Sequence, residues 1–190
     1  TATAFSVKSD TALERAYFLF KLISKEPLVK IGTAVTNFAL KANLPVERLI
    51  RATVFDHFCG GVNERDCEPV MEAMYAKNVF SVLDYSVEGK SNDAYFDQVQ
   101  HKIESLIVFA TTKKHIPFVV FKPTALGRIS LYEKLGLNAP LSDQEKQDWS
   151  KVKARFRSIC QAASHCNIPL LIDGEESWMQ DAADQLVCEM

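Results

Sequence analysis

Hydrophobic positions in the first third of the chain repeat with helical spacing. From Asp10 to about Ser24, Leu13, Ala16, Tyr17 and Phe20 recur every three or four residues until Pro27 interrupts the pattern. Ile31, Val35, Phe38 and Leu40 predict a second helix over about Val29 to Ala42, and Pro45 opens a third through Leu49, Ile50 and Val54. Gly60 and Gly61 end it, and Cys67, Val70, Met71 and Met74 mark a short helix from about Glu64 to Asn78.

The period changes after residue 78. Phe80 to Val87 is rich in β-branched and aromatic residues and predicts a strand. Beyond Gly89 and the cap candidates Ser91 and Asn92, Phe96, Val99, Ile103, Leu106, Ile107 and Ala110 fall on one face of a helix of about 20 residues. Pro117 to Lys122 is a short apolar run of the kind found in strands covered on both faces. A loop rich in Gly and Leu leads to Ser142 and Glu145, a capping box that opens a helix with Trp149, Val152, Phe156, Ile159, Cys160 and Ala163 on its apolar stripe. Ile168 to Asp173 predicts a third strand, followed by the loop Gly174 to Ser177 and a last helix.

Alternation of buried strands and long helical crossovers predicts parallel βαβ units in an α/β fold. No GxGxxG follows a strand, and no GxxxxGK[ST] is present, which disfavours a nucleotide-binding doubly wound sheet. The reading that remains is a helical region over residues 1–78, then the first three βα units of a (β/α)8 TIM-type barrel over residues 79–190. Such a barrel takes about 250 residues, so these units are expected to leave an open edge and to favour self-association.

Composition narrows the function classes. Twenty-two basic and 24 acidic residues leave a net charge of −2 without a block of one sign, which argues against a nucleic-acid partner. Cys59, Cys67, Cys160, Cys166 and Cys188 form no CxxC pair and no zinc spacing, so free thiols and no metal are expected. No apolar run reaches the length of a membrane span, and a first residue of Thr1 leaves room for an upstream segment.

Each predicted strand delivers ionisable residues near its carboxyl end: Asp84 and Glu88, then Lys122, then Asp173 with Glu175 and Glu176. In a barrel those ends meet at one face, where barrel enzymes place their chemistry. Taken singly, each residue has an ordinary structural use. A lysine ending an apolar strand can snorkel to solvent, and acids before a helix can cap it. Tyr85 suits packing, and His57 suits a loop backbone contact. The ordered set of charged strand ends is what those separate uses leave unexplained.

Four segments carry a resemblance in order: Val54 to Gly61, Leu83 to Glu88, Phe121 to Gly127 and Ile172 to Ser177. They resemble the successive motifs of the proline dehydrogenase family, with Gly174 where many members carry alanine. The resemblance implies oxidation of L-proline to Δ1-pyrroline-5-carboxylate by hydride transfer to FAD lying over the carboxyl ends of the strands. It implies that Lys122 contacts the substrate carboxylate, that Glu88 helps close the site and that Asp173 lies near flavin and substrate, with no flavin-contacting residue assigned. It further implies a quinone as electron acceptor and leaves peripheral membrane association open. The expected location is cytoplasmic or peripheral to the inner membrane in a bacterium and mitochondrial in a eukaryote. Two other readings stand beside it: a barrel lyase with a Schiff base at Lys122, and a non-catalytic partner-binding half-barrel.

Overall fold

Four helices start where a side chain satisfies free amides, and several helix ends are set by asparagine. In the computed structural model, which describes residue 3 and residues 5–85 and 92–190, helix α1 (Asp10–Ile23) begins where Ser9 accepts from the Ala12 amide at 3.2 Å. Asn63 and Asn92 do the same for α5 (Glu64–Tyr75) and α6 (Asp93–Ala110). Asn43, Asn78, Asn138 and Asn167 each follow a helix with a positive φ, a conformation their short polar side chain tolerates.

The chain divides into two compact units, Thr1–Val79 and Phe80–Met190. In the first, α1 is followed by α2 (Glu26–Lys41). Pro27 sits in the first turn of α2, where its missing amide costs no helical hydrogen bond. The third helix is broken into α3 (Glu47–Ile50), a π-helical turn over Arg51–Phe55 and α4 (Asp56–Phe58), and ends on extended Cys59, just before the expected glycine pair. The apolar stripes of α1 and α2 stay largely at the surface: Tyr17, Ile31, Val35 and Phe38 are all more than half exposed.

The second unit holds the core. The expected strand over Phe80–Val87 is present only as one parallel bridge, between Asp84 and Val120, and its end from Ser86 lies outside the described residues. A strand exists only through pairing, and among the described residues of that run the bridge at Asp84 is joined by the Ser81 amide, which donates to the His115 carbonyl at 3.0 Å. The sheet proper has two short parallel strands, β1 (Val119–Phe121) and β2 (Leu170–Ile172), paired Val119 with Leu170, Val120 with Leu171 and Phe121 with Ile172. The result is a mostly helical α/β unit with a two-stranded parallel sheet.

Side chains at paired positions share a sheet face. On one face Val119 and Phe121 are buried, and Phe121 meets Phe156 of α8 (Asp143–Cys166) edge-on at 5.1 Å. The apolar residues expected on α6 are all buried, as are those on α8 except the half-buried Cys160. The other face carries Val120 and Leu171 and is open, with Leu171 45% exposed.

The Gly- and Leu-rich segment after β1, expected as loop, contains helix α7 (Ile129–Gly136), whose Leu131 and Tyr132 are buried. Its start has no side-chain cap, and at eight residues its periodicity is brief, so tertiary packing decides it. Gly136 touches the Trp178 carbonyl of the 3-10 turn (Ser177–Met179) before α9 (Gln180–Glu189), an approach too close for any Cβ.

Arg155 ties α6, α8 and the loop after β1 together. It is 4% exposed, and its guanidinium donates to Asp97 at 2.8 Å, to Asp93 at 3.0 Å and to the Leu126 carbonyl at 3.1 Å. Every edge of the buried cation is thus used. At the start of α8 both halves of the capping box form, and Lys134 adds a 2.6 Å contact to Glu145. That lysine first, and the Ser142 amide second, hold the Glu145 carboxyl down at about 2.

Two outcomes follow for stability. Arg155→Met should lower unfolding free energy by about 2 to 4 kcal/mol, because it strands the Leu126 carbonyl, removes the arginine from Asp97 and leaves Asp93 with Lys151 alone; an unchanged urea midpoint would refute the role. Glu145 has a depressed folded pKa, so its contribution is present above the ordinary value of 4.5 and is lost as pH falls toward about 2. Glu145→Gln should therefore melt below the parent at pH 6 and with it near pH 2, as read by thermal scans at both values.

Candidate active site at the carboxyl ends of the strands

The register carries on past the strands and brings charged residues together. The Asp173 amide donates to the Phe121 carbonyl at 3.0 Å as the last rung of the Phe121–Ile172 pair, and the same offset of 51 residues sets Lys122 level with Asp173 just beyond the strands. Two steps further, Thr124 faces Glu175 at the same sequence offset of 51 residues. The Glu175 carboxylate accepts from the Thr124 amide at 2.9 Å and from its hydroxyl at 2.5 Å.

Lys122 ends β1 and precedes a 3-10 turn, Pro123–Ala125. Its ammonium lies 3.2 Å from the Asp84 carboxylate, delivered by the bridge to Val120. The side chain is 27% exposed, so it neither runs free in solvent nor is sealed. Asp84 holds the Lys122 pKa above its ordinary value, against the opposing effect of burial, and the charges of Asp173 and Glu175 add to the rise. The lysine is therefore an ammonium facing three acids.

Tyr132 secures the loop from below. Its hydroxyl, fully buried, donates to the Pro123 carbonyl at 2.7 Å, and its ring meets Trp149 edge-on at 5.2 Å. Burial, with the nearby Glu175 charge, raises the phenol well above its ordinary value and keeps it a donor.

Of the residues singled out in the sequence, Lys122 and Asp173 come to one sheet end. Asp173 is exposed and acts on Lys122 through its charge. Glu88 lies outside the described residues. Tyr85 is partly exposed, with the Lys102 ammonium 6.0 Å from its ring centre. His57 packs edge-on against Phe20 and Phe58, an aromatic contact in place of the expected backbone one. Asp84 as the partner of the lysine, and Thr124 as the partner of Glu175, were not read from the sequence. For Thr124 and Glu175 the signal was their equal offset beyond β1 and β2, which acquires meaning only once the register is known; Asp84 stands level with Val120, two residues before Lys122, and carried no such signal.

Two cavities lie elsewhere. One of about 170 Å³ is bordered by Asp93, Arg128, Asp148 and Arg155, whose charges pair with one another. Another of about 640 Å³, in the amino-terminal unit, is mainly apolar, with Leu13, Phe20 and His57 among its walls. Neither is lined by Lys122, Asp173 or Glu175.

The sequence model described as proline dehydrogenase matches residues 67–190, which include β1, β2 and every charged residue just placed at their ends. The chain belongs to the proline dehydrogenase family. It is similar to the carbapenem antibiotics biosynthesis protein CarD of Pectobacterium carotovorum subsp. carotovorum, at 27% identity over 70% of this chain and 35% of that protein. Proline dehydrogenase 2, mitochondrial, of Arabidopsis thaliana is 24% identical over 97% of this chain and 48% of its own length. Proline dehydrogenase 1, mitochondrial, of Caenorhabditis elegans reaches 35% identity over 46% of the chain and 15% of that protein. The chain thus spans less than half the length of these relatives. Among the described residues no helix is long and apolar enough to cross a membrane.

The family sequence and the geometry together generate a titration test. In the parent, Lys122 should titrate above its ordinary value of 10.5, and Asp84→Asn should bring it down by removing the largest cause of the rise. The ion pair's stabilisation is present below the unfolded pKa and is lost as pH rises through the raised folded one. NMR of reductively methylated lysines, assigned through Lys122→Arg, reads the shift; the same midpoint in parent and Asp84→Asn would remove Asp84 as partner.

Proposed function

We propose that the full-length protein oxidises L-proline to Δ1-pyrroline-5-carboxylate with FAD as cofactor, and that Lys122, Asp173 and Glu88 belong to its active site. The observation that carries the reading is the Lys122 ammonium held on Asp84 at the end of β1, inside the segment matched by the proline dehydrogenase family. Proline is a zwitterion with a carboxylate and a secondary ammonium a few ångströms apart. A lysine set among acids offers both complements: Lys122 takes the carboxylate, and Asp173, at the same offset beyond β2, faces the ammonium.

The residues fit a flavin at this end of the sheet. Val120 and Leu171 give the open face an apolar floor beside the charged rim, which suits a flat, largely apolar ring stacked over a charged substrate. When bound, the flavin accepts the hydride that proline loses. The chain's own residues orient the substrate: Lys122 fixes its carboxylate end, while the acids favour the charged amine. The open face and the outer edge of β2 support a place in a partial (β/α)8 barrel and self-association of the 190-residue chain. A quinone as acceptor and a mitochondrial or inner-membrane location belong to the same proposal, and the mitochondrial proline dehydrogenases of Arabidopsis thaliana and Caenorhabditis elegans favour the mitochondrial setting.

The Schiff-base reading is disfavoured by the same lysine. An amine that attacks a carbonyl must be neutral, and Asp84, with the charges of Asp173 and Glu175, favours the ammonium instead.

Lys122→Met in the full-length protein tests the proposal. Loss of one charged hydrogen bond to the substrate carboxylate should lower kcat/KM for proline roughly ten- to a hundredfold, with flavin content near the parent's. The assay is steady-state proline oxidation with an artificial acceptor, alongside a proline analogue without the carboxylate. Parental kcat/KM in the variant, or a flavin-free protein unresponsive to added FAD, would sink the assignment.

A further inference from the structure

We infer that Glu175 is a positioning residue, which holds the Lys122 end of β1 in place by clamping Thr124, and that it does so through its two hydrogen bonds rather than through its charge. The inference rests on the proposed role of Lys122 in substrate binding.

The clamp reaches across the sheet from the loop after β2 to the loop after β1. The Glu175 carboxylate uses one oxygen for the Thr124 amide at 2.9 Å and the other for the Thr124 hydroxyl at 2.5 Å. Thr124 is the second residue beyond Lys122, and its neighbour Pro123 is anchored separately by the Tyr132 hydroxyl at 2.7 Å. The Ala125 amide closes the 3-10 turn onto the Lys122 carbonyl at 3.1 Å. The lysine backbone is therefore fixed by the ladder before it and by two side-chain anchors after it, one from the buried wall and one from the next strand.

The division of labour between the acids follows from their contacts. Asp84 meets the Lys122 ammonium directly, and Asp173 is exposed with its carboxylate uncommitted to the loop. Glu175 has both oxygens committed to Thr124 and is half-buried, so it is placed to hold backbone and not to meet substrate. Without it, the turn after Lys122 keeps the Tyr132 anchor at Pro123 and the Arg155 contact to the Leu126 carbonyl, while Thr124 between them is released. The ammonium then samples more positions, and a substrate carboxylate must order it on binding. Such a loss falls on substrate affinity more than on the chemical step.

Three variants of the full-length protein separate the possibilities. Glu175→Ala removes both hydrogen bonds. Glu175→Gln keeps an acceptor for the amide and a polar partner for the hydroxyl while removing the charge. Thr124→Val removes the hydroxyl bond alone. The readouts are KM and kcat for proline, and the acylation rate of Lys122 by acetic anhydride, followed by peptide mass spectrometry against the well-exposed Lys30.

Glu175→Ala should raise KM roughly tenfold with kcat within about twofold, and should speed Lys122 acylation roughly three- to tenfold, while Glu175→Gln stays within about twofold of the parent. Thr124→Val should move both quantities in the same direction by less, and it decides the matter if Glu175→Ala does not fold. Parental KM and acylation in Glu175→Ala would overturn the inference, and so would a lower melting temperature without a change in acylation. Equal impairment of Glu175→Gln and Glu175→Ala would assign the effect to charge and overturn the clamp. A parent protein that does not oxidise proline would remove the proposed function instead, and the acylation rates would still judge the clamp.

Discussion

The register between β1 and β2 is the constraint on which the candidate site depends. Pairing Phe121 with Ile172 puts Lys122 opposite Asp173 and Thr124 opposite Glu175. A slip of one residue in β2 would send Leu171 to the covered face, one in β1 would send Phe121 to the open face, and either would separate both polar pairs. The register is held by burial on one side: Val119 and Phe121 are almost fully enclosed, and a shift would expose them. Chemistry on the open face is thus fixed by packing on the other.

The covered face is itself kept in order by a polar group. Arg155 is buried among apolar residues of α6 and α8, with the Phe96 ring 5.4 Å from its guanidinium. Its contacts to Asp93, Asp97 and the Leu126 carbonyl join the start of α6 to the loop that follows Lys122. That cation links the helix layer to the site without touching the site. The half-exposed carboxylates on one side and the enclosed carbonyl on the other explain why the position suits arginine, whose planar fork serves several acceptors at once.

The acids around Lys122 differ in use although they were alike in the sequence. Asp84 makes the ion pair, Glu175 holds a turn, and Asp173 stays open to solvent. The same charge type serves three purposes because each carboxylate stands at a different distance from the end of its strand. All three acids lie inside the segment that the proline dehydrogenase family model matches, and the chain spans 48% of the Arabidopsis relative's length.

Much of the local structure was legible. The periodicity of α6 and α8, the capping box at Ser142 and the apolar runs that became β1 and β2 all rest on neighbours within about four residues, where the chain's own geometry decides. The strand motifs also pointed to the family, and the family model matches residues 67–190. Other features depended on residues far apart in sequence. Among the described residues the run from Phe80 bridges β1 at Asp84 and forms no longer strand, α7 forms inside a segment that reads as loop, and Arg155 is buried in a stripe where periodicity shows only its apolar neighbours. Which acid meets Lys122, and which one holds Thr124, was decided by the tertiary structure, because hydrogen bonds across a parallel sheet follow its register and no local pattern encodes an offset of 51 residues.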